Sequence, residues 1–175
     1  ERAWEESFEM IEIDRQMFRE AVRVLRQTDG CELSADIVAM DKKVNQYEKD
    51  VRTKVMTHCT VEGASELPNG MVLVSVVIDI DRVGDYCNNI VDLAAHHPKR
   101  LVAGKYEKTL WAVESELFLR FDRTIDVFRS QDEVGARELM RSYREDIATL
   151  CDEIVFGMVS GDCEGIECAT ATTLA

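Results

Sequence analysis

The stretch Val77-Ile-Asp-Ile-Asp-Arg-Val-Gly-Asp-Tyr-Cys-Asn-Asn-Ile-Val-Asp92 decides the fold of this chain. Its apolar residues are numerous enough for it to be buried as a helix. Only nine glycines and two prolines interrupt the 175 residues, and so few helix-breaking residues favour long helices over short strands joined by turns. The sequence therefore predicts an all-α protein.

Polar side chains interrupt this apolar stretch at a helical spacing. Successive residues of a helix are about 100° apart, so these side chains fall within about 60° of one another. Carboxylates one turn apart repel each other, and a cation is therefore expected beside them. The side chains that form this polar stripe belong to Asp81, Asp85, Asn88 and Asp92.

Amphipathic patterns before and after this stretch predict further helices of a bundle. Apolar residues recur every three or four positions, as in a helix with one buried face. We expect helices over about residues 4–28, 32–58, 68–96, 102–129 and 131–157, and a sixth from near residue 163. The fourth helix is expected to bury Leu110, Trp111, Leu117, Phe118, Phe121, Ile125 and Phe128.

The two halves of the chain resemble each other. When they are aligned, Phe18 corresponds to Phe121 and Asp29 to Asp132, and apolar positions coincide along the following helix. Two three-helix repeats are therefore predicted, at residues 1–98 and 99–175, and the second is expected to be truncated at its third helix.

The composition narrows the choice of partners and compartment. With 34 acidic and 21 basic residues, the net charge of −13 disfavours nucleic-acid binding and favours a cation or a basic partner. The six cysteines form no C-x-x-C pair, so we expect free thiols and a reducing cytosol. No stretch is apolar enough to predict a membrane span.

The second predicted helix carries a polar stripe of the same design. Carboxylates that converge from two helices, together with amide oxygens, suit Mg, Mn, Ca or iron better than a thiolate-type zinc site. The alternative is that both stripes are solvated helix faces, with Arg52 and Arg82 pairing locally. The second stripe consists of Asp41, Asn45, Glu48 and Arg52.

The sequence offers no conventional catalytic site. None of His58, His96 and His97 follows a glutamate by three positions, as the Glu-x-x-His pair of di-iron bundles requires. Glycine-rich phosphate loops and nucleophile elbows are also missing from the sequence. A helical-bundle metal oxidase is nevertheless an alternative of another class, and a purely structural helical adaptor is a third.

The two stripes resemble the motifs of the PhoU-type phosphate-uptake regulators. The second helix reads Asp41-Lys-Lys-Val-Asn45-Gln-Tyr-Glu48, and the third reads Asp81-Arg-Val-Gly-Asp85-Tyr-Cys-Asn-Asn89-Ile90. Both motifs follow the order of that family. The family's architecture, a tandem repeat of three-helix bundles, also agrees with the internal repeat.

The resemblance implies a cytoplasmic, non-catalytic regulator of phosphate transport and phosphate signalling. It implies a divalent or trivalent metal ion, namely iron, Mg, Mn or Zn. The implied partners are a phosphate transporter or its sensor kinase and a second copy in a homodimer, with contact to a membrane only through a partner. The implied metal ligands are Asp81, Asp85, Asp41 and Glu48, and the residues lining the site are Asn45, Asn89 and Arg82.

The chain also departs from a symmetrical family pattern. Arg144, Ala148 and Cys151 stand in the second repeat where the first has Asp41, Asn45 and Glu48. A metal site is therefore expected in the first repeat alone. PhoU-like domains also occur behind membrane transport domains, so the soluble tail of a sodium-phosphate cotransporter is an alternative within the same family.

Overall fold

The computed structural model describes residues 2–29 and 35–175, which are mostly helical. Within these two ranges there is no β-strand. The prediction of an all-α fold built from helical bundles is therefore confirmed. The helices are α1 Arg2–Gln27, α2 Ala35–Glu62, α3 Leu67–His96, α4 Glu107–Ser130, α5 Glu133–Ser142, α6 Ala148–Val159 and α7 Ile166–Leu174.

Two helix boundaries follow the sequence signals, whereas α2 ends four residues later and α4 begins five residues later than expected. The helix α3 ends at His96, two residues before Pro98, as expected from the constraint that proline places on the preceding residue. Asp132 caps α5, since its side chain accepts hydrogen bonds from the backbone N–H groups of Val134 and Gly135. Gly30 and the predicted start of α2 at Glu32 lie outside the described residues.

One predicted helix is interrupted. The sequence pattern suggested a single helix over about residues 131–157, whereas α5 and α6 are joined by a π-helical turn at Tyr143–Ile147. The expectation of one continuous helix is wrong here, since π-helical turns are rare single-turn interruptions of α-helices that the apolar pattern did not indicate. This segment aligns with the region of α2 that carries the acids.

The described residues divide into two compact units. The first contains residues 2–21 and 35–89, and the second contains residues 22–29 and 90–175. The division into sequence repeats at residues 1–98 and 99–175 stays a prediction. The first unit has an apolar core with side chains from α1, α2 and α3, among them Met10, Met17, Ile37, Val44, Val51, Leu73 and Val77.

The second unit has its own core and corrects two expectations. Trp111 was expected to be buried, but it is 66% exposed. Among the predicted core residues of α4, Leu110 and Ile125 are buried, together with Val113. The other predicted residues, Leu117, Phe118, Phe121 and Phe128, lie at intermediate depth, because a helix buries a stripe rather than every large residue along it.

The second correction concerns the cysteines. Cys163 and Cys168 form a disulfide, with their Cα atoms 5.9 Å apart, whereas free thiols were expected. The turn before α7 brings the two residues within disulfide range, and a search for C-x-x-C pairs misses this wider spacing. Cys59, Cys87 and Cys151 are free. Among the described helices, none combines the length and apolar composition needed to cross a membrane.

Candidate metal centre

The first unit buries a carboxylate in the middle of α1. Met10, Met17 and Ala21 form a fully buried stripe of this helix, and Asp14 lies on the same stripe between them. Asp14 is only 1% exposed, and neither of its carboxylate oxygens has a hydrogen-bond partner among the described residues. Such a group is costly when charged, on the order of several kcal/mol. Its environment therefore needs an explanation.

A glycine of α3 lies against this carboxylate. A Cβ atom built on Gly84 would lie 3.1 Å from Oδ1 of Asp14, closer than side chains ordinarily approach. Gly84 stands between Asp81 and Asp85 in the sequence. The absence of a side chain at this position thus lets the α1 carboxylate approach the backbone of the acidic motif.

The electrostatic surroundings of Asp14 are acidic. Burial is the largest influence and raises the pKa of Asp14 to about 8. The next contributions to this raised pKa come, in decreasing order, from the carboxylates of Asp81, Asp41 and Asp85. Since each of these groups disfavours the charged form of Asp14, the three helices α1, α2 and α3 bring four acids into mutual electrostatic contact.

The acids of α2 and α3 also influence one another. Burial raises the pKa of Asp81 above its usual value, and Asp85 and Glu48 raise it further. The nearby Lys49 acts in the opposite direction but has a smaller effect. Asp81 is half-buried and Asp85 is exposed, so the motif extends from the buried Asp14 to the surface of the unit.

A side-chain hydrogen bond joins the two polar stripes directly. Nδ2 of Asn88 on α3 donates to Oδ1 of Asp41 on α2, at 2.7 Å. This contact holds one carboxylate oxygen of Asp41 against α3. The stripes predicted from the sequence therefore do lie next to each other.

The remaining predicted site residues have other contacts. Asn45 donates to the backbone oxygen of Asp41 one turn earlier, at 3.0 Å, and Glu48 accepts from Arg52 at 2.7 Å. Arg82 pairs with Asp79, on the exposed side of α3, at 3.3 Å. Asn89 is exposed. The local ion pairs expected for Arg52 and Arg82 are thus present. Asp41 and Asp81 are still close enough to Asp14 to raise its pKa.

A cysteine beside the cluster does not act as a thiolate. Cys87 is buried, and its Sγ lies 3.8 Å from the backbone oxygen of Asp14. Burial, with a smaller effect from Asp14, raises the pKa of this thiol to about 12. Cys87 is therefore protonated at neutral pH and packs as a small apolar side chain.

The donor set suits a hard cation, although no closed cage is formed. In the described part of the chain, no three His, Cys, Asp or Glu side chains are grouped as a ready set of metal ligands. The available donors are carboxylate oxygens, which Mg²⁺, Mn²⁺, Ca²⁺ and iron prefer. The buried, unpaired carboxylate of Asp14 fits such an ion, because a cation would supply the charge that the described side chains do not.

Sequence reasoning did not identify Asp14. The sequence predicts the first helix only as an amphipathic packing element, and the predicted ligands lie on the two helices with polar stripes. A signal was nevertheless present, because Asp14 interrupts the apolar stripe of Met10, Met17 and Ala21. An acid at such a position lies on the buried face of a helix and is therefore a candidate functional group.

The family comparison agrees with the position of the cluster. The family model described as "PhoU domain" matches residues 8–94, a range that contains Asp14, Asp41, Asp81 and Asp85. Neither a curated protein nor a solved structure matches the chain significantly.

Proposed function

Because this chain belongs to the PhoU domain family through residues 8–94, we propose that it is a non-catalytic, metal-binding regulator of phosphate transport and phosphate signalling. The observation that carries the proposal is the coincidence of the family match with the acid cluster of the first unit. Regulation by a bound partner requires no reacting groups, and none of the cluster residues forms a nucleophile–base pair in the described structure.

The metal is proposed to bind at the acids of α2 and α3. Asp81 and Asp85 are the main ligands, and Asp41 is presented beside them by its hydrogen bond from Asn88. Glu48 is a further candidate, since its charge already influences Asp81. The ion is a hard one such as Mg²⁺, Mn²⁺ or iron, because all of these donors are carboxylates.

A phosphate transporter, or the sensor kinase that works with it, is the proposed partner. Support comes from the PhoU domain match and from an apolar groove of the first unit, located where α2 ends and α3 begins. Met56, Leu67 and Met71 are exposed there and line the groove together with Cys59. Contiguous exposed apolar side chains are typical of surfaces that bind other proteins. A homodimer is part of the same proposal.

A cytoplasmic location is also proposed, from the class of domain. The Cys163–Cys168 disulfide is the observation that opposes it, since disulfides are rare in reducing compartments. A thiol-labelling experiment on freshly lysed cells would report whether these two cysteines are oxidised in the compartment where the protein acts.

Metal analysis tests the binding part of the proposal. The double variant Asp81→Asn/Asp85→Asn is expected to lose bound metal and to keep its helical content by circular dichroism. Asp79→Asn is the matched control, because Asp79 is an exposed acid of the same helix that pairs with Arg82. Unchanged metal content in the double variant would show that the site is elsewhere.

Complementation tests the regulatory part. The wild-type chain is expected to restore controlled phosphate uptake in cells that lack their own PhoU-type regulator, and the double variant is expected to do so poorly. If the wild-type chain does not alter phosphate uptake although it binds metal, the regulatory role is wrong while the metal site stands.

A further inference from the structure

We propose that Asp14, on α1, is a direct ligand of the cation held by the acids of α2 and α3, so that the ion is bound by three helices. This inference rests on the proposed function, because it assigns an additional ligand to the same site. The ligand class is a hard, oxygen-preferring cation, for which Mn²⁺ and Tb³⁺ are suitable probes.

The first argument is the combination of burial and missing partners. Asp14 is 1% exposed, and both of its carboxylate oxygens are without a hydrogen-bond donor in the residues that the structure describes. Buried carboxylates in proteins are normally paired with cations or with several N–H donors. The missing partner at Asp14 is therefore one that the described residues do not supply.

The second argument is the direction from which a partner can come. Oδ1 of Asp14 lies 3.1 Å from the site of a Cβ on Gly84, within the Asp81–Asp85 motif. A side chain at that position would crowd the carboxylate. Glycine leaves this space clear beside Asp14. The half-buried Asp81 lies one turn earlier on α3, so an ion between Asp14 and Asp81 would be shared between α1 and α3.

The third argument is that three cations of α2 are already engaged with acids other than Asp14. Lys54 of α2 reaches α1 but pairs with Glu6, and Lys43 lies 4.0 Å from Glu9. Arg52 pairs with Glu48. Lys54 and Lys43 thus lie against other acids of α1, Arg52 pairs within α2, and no ion pair among the described residues includes Asp14.

An ion bound at this place would also link α1, α2 and α3, because each helix would contribute a ligand. The ligands on α2 and α3 belong to one hairpin, whereas Asp14 lies on the preceding helix. An ion that contacts all three would favour the packed arrangement of α1 over the unfolded chain, because binding to the native state alone adds to its stability. Metal binding and the thermal stability of the first unit are therefore coupled.

Counting the water molecules on the ion provides the sharpest test. The lifetimes of Tb³⁺ luminescence in H₂O and D₂O report how many waters the ion keeps. Replacing Asp14 by Asn is expected to add about one or two waters, according to whether the lost carboxylate binds through one or two oxygens. Mn²⁺ affinity, measured by calorimetry, is expected to fall at least about tenfold.

Matched variants separate a ligand from a packing residue. Asp79→Asn removes an exposed acid of α3 and should leave the water count and Mn²⁺ affinity as in the wild-type chain. Met17→Leu changes a buried neighbour on α1 and should do the same. Asp14→Leu is measured in parallel, so that the test still holds if one Asp14 variant does not fold in chelator.

The outcomes distinguish this inference from the proposed function. If the Asp14 variants keep the wild-type water count and affinity while Asp81→Asn/Asp85→Asn does not bind, Asp14 is a buried neutral acid and only this inference is wrong. If the wild-type chain binds neither Mn²⁺ nor Tb³⁺, the metal-binding function itself is wrong. An increased water count in the Asp14 variants, with loss of binding in Asp81→Asn/Asp85→Asn and wild-type values in Asp79→Asn and Met17→Leu, supports the three-helix site.

Discussion

Each of the two compact units buries a carboxylate, but within the described residues only the second unit places a cation beside it. In the second unit, Glu114 is 11% exposed at its side chain, and its Oε1 lies 2.8 Å from Nε of Arg26. The guanidinium also pairs with Glu107, at 2.6 Å, and donates to the backbone oxygen of Leu101. In the first unit, Asp14 is buried as deeply, without an ion pair among the described residues.

This difference distinguishes Glu114, which has a structural role, from Asp14, which is a candidate metal ligand. Burial raises the pKa of Glu114, but Arg26 acts against the increase. For Glu107, burial also opposes the charged form, yet the hydrogen bonds from Arg26 and from Ala103 lower its pKa overall. For Asp14, burial and the neighbouring carboxylates all raise the pKa, and no cation of the described residues opposes them. The second unit thus compensates its own buried charge, whereas the first leaves a position that an external cation suits.

Removing Arg26 should produce the largest effect. Arg26→Met is expected to lower the free energy of unfolding by about 3–5 kcal/mol, because breaking a buried ion pair leaves an uncompensated charge. Urea denaturation measures the loss. The double variant Arg26→Met/Glu114→Gln should recover part of it, since the buried charge is then absent. A loss below about 1 kcal/mol in the single variant would contradict a structural role for this pair.

The next effect is a pH dependence of the metal-free protein. Asp14 has a pKa of about 8 in the folded chain and 3.8 as a model group, so the folded state holds a proton that the unfolded state releases. The contribution of Asp14 to stability is then fully present below about pH 4 and is lost as the pH rises towards 8, by about 1.4 kcal/mol for a melt series between pH 6 and pH 7. Asp81, Asp41, Asp85 and the Cys87 thiol are the groups that face Asp14.

Thermal melts in chelator at several pH values check this prediction. The melting temperature of Asp14→Asn should fall less than that of the wild-type chain as the pH rises from about 4 to 8, because asparagine carries no proton to release. Asp79→Asn should keep the wild-type slope, since Asp79 is exposed and paired with Arg82. Equal slopes in the Asp14→Asn and wild-type proteins would place the titrating group elsewhere.

The smallest effect is expected at Gly84. Alanine favours a helix by about 1 kcal/mol over glycine, but its Cβ would lie 3.1 Å from the Asp14 carboxylate. The two effects oppose each other, so Gly84→Ala should unfold in chelator within about 1 kcal/mol of the wild-type chain. Its Mn²⁺ affinity should fall about tenfold as the carboxylate is displaced.

A control on the same helix makes the Gly84 result interpretable. Ser75→Ala removes an exposed hydroxyl that bonds only to the backbone of Met71, one turn earlier. Its Mn²⁺ affinity should equal that of the wild-type chain. If Gly84→Ala binds Mn²⁺ equally well, the space beside Asp14 has no role in binding, and the contrast between the two units becomes one of packing alone.

The sequence predicted the helices better than it predicted their depth. The third helix was expected over about residues 68–96 and is found at Leu67–His96, because proline and the apolar period act locally. Trp111, in contrast, is exposed although it lies in an apolar pattern. The side of a helix that is buried depends on packing partners that are distant in sequence. The residue pattern of one helix carries no information about those partners.

The candidate site shows the same division. The sequence alone determined the acidic motif from Asp81 to Asp85 and the matching stripe at Asp41, since helical spacing places such residues on one face. Only the tertiary structure decided that Asn88 bonds to Asp41 and that Asp14 lies buried against Gly84. The physical reason is that local periodicity sets the direction of a side chain, whereas burial and charge compensation depend on which helices pack together.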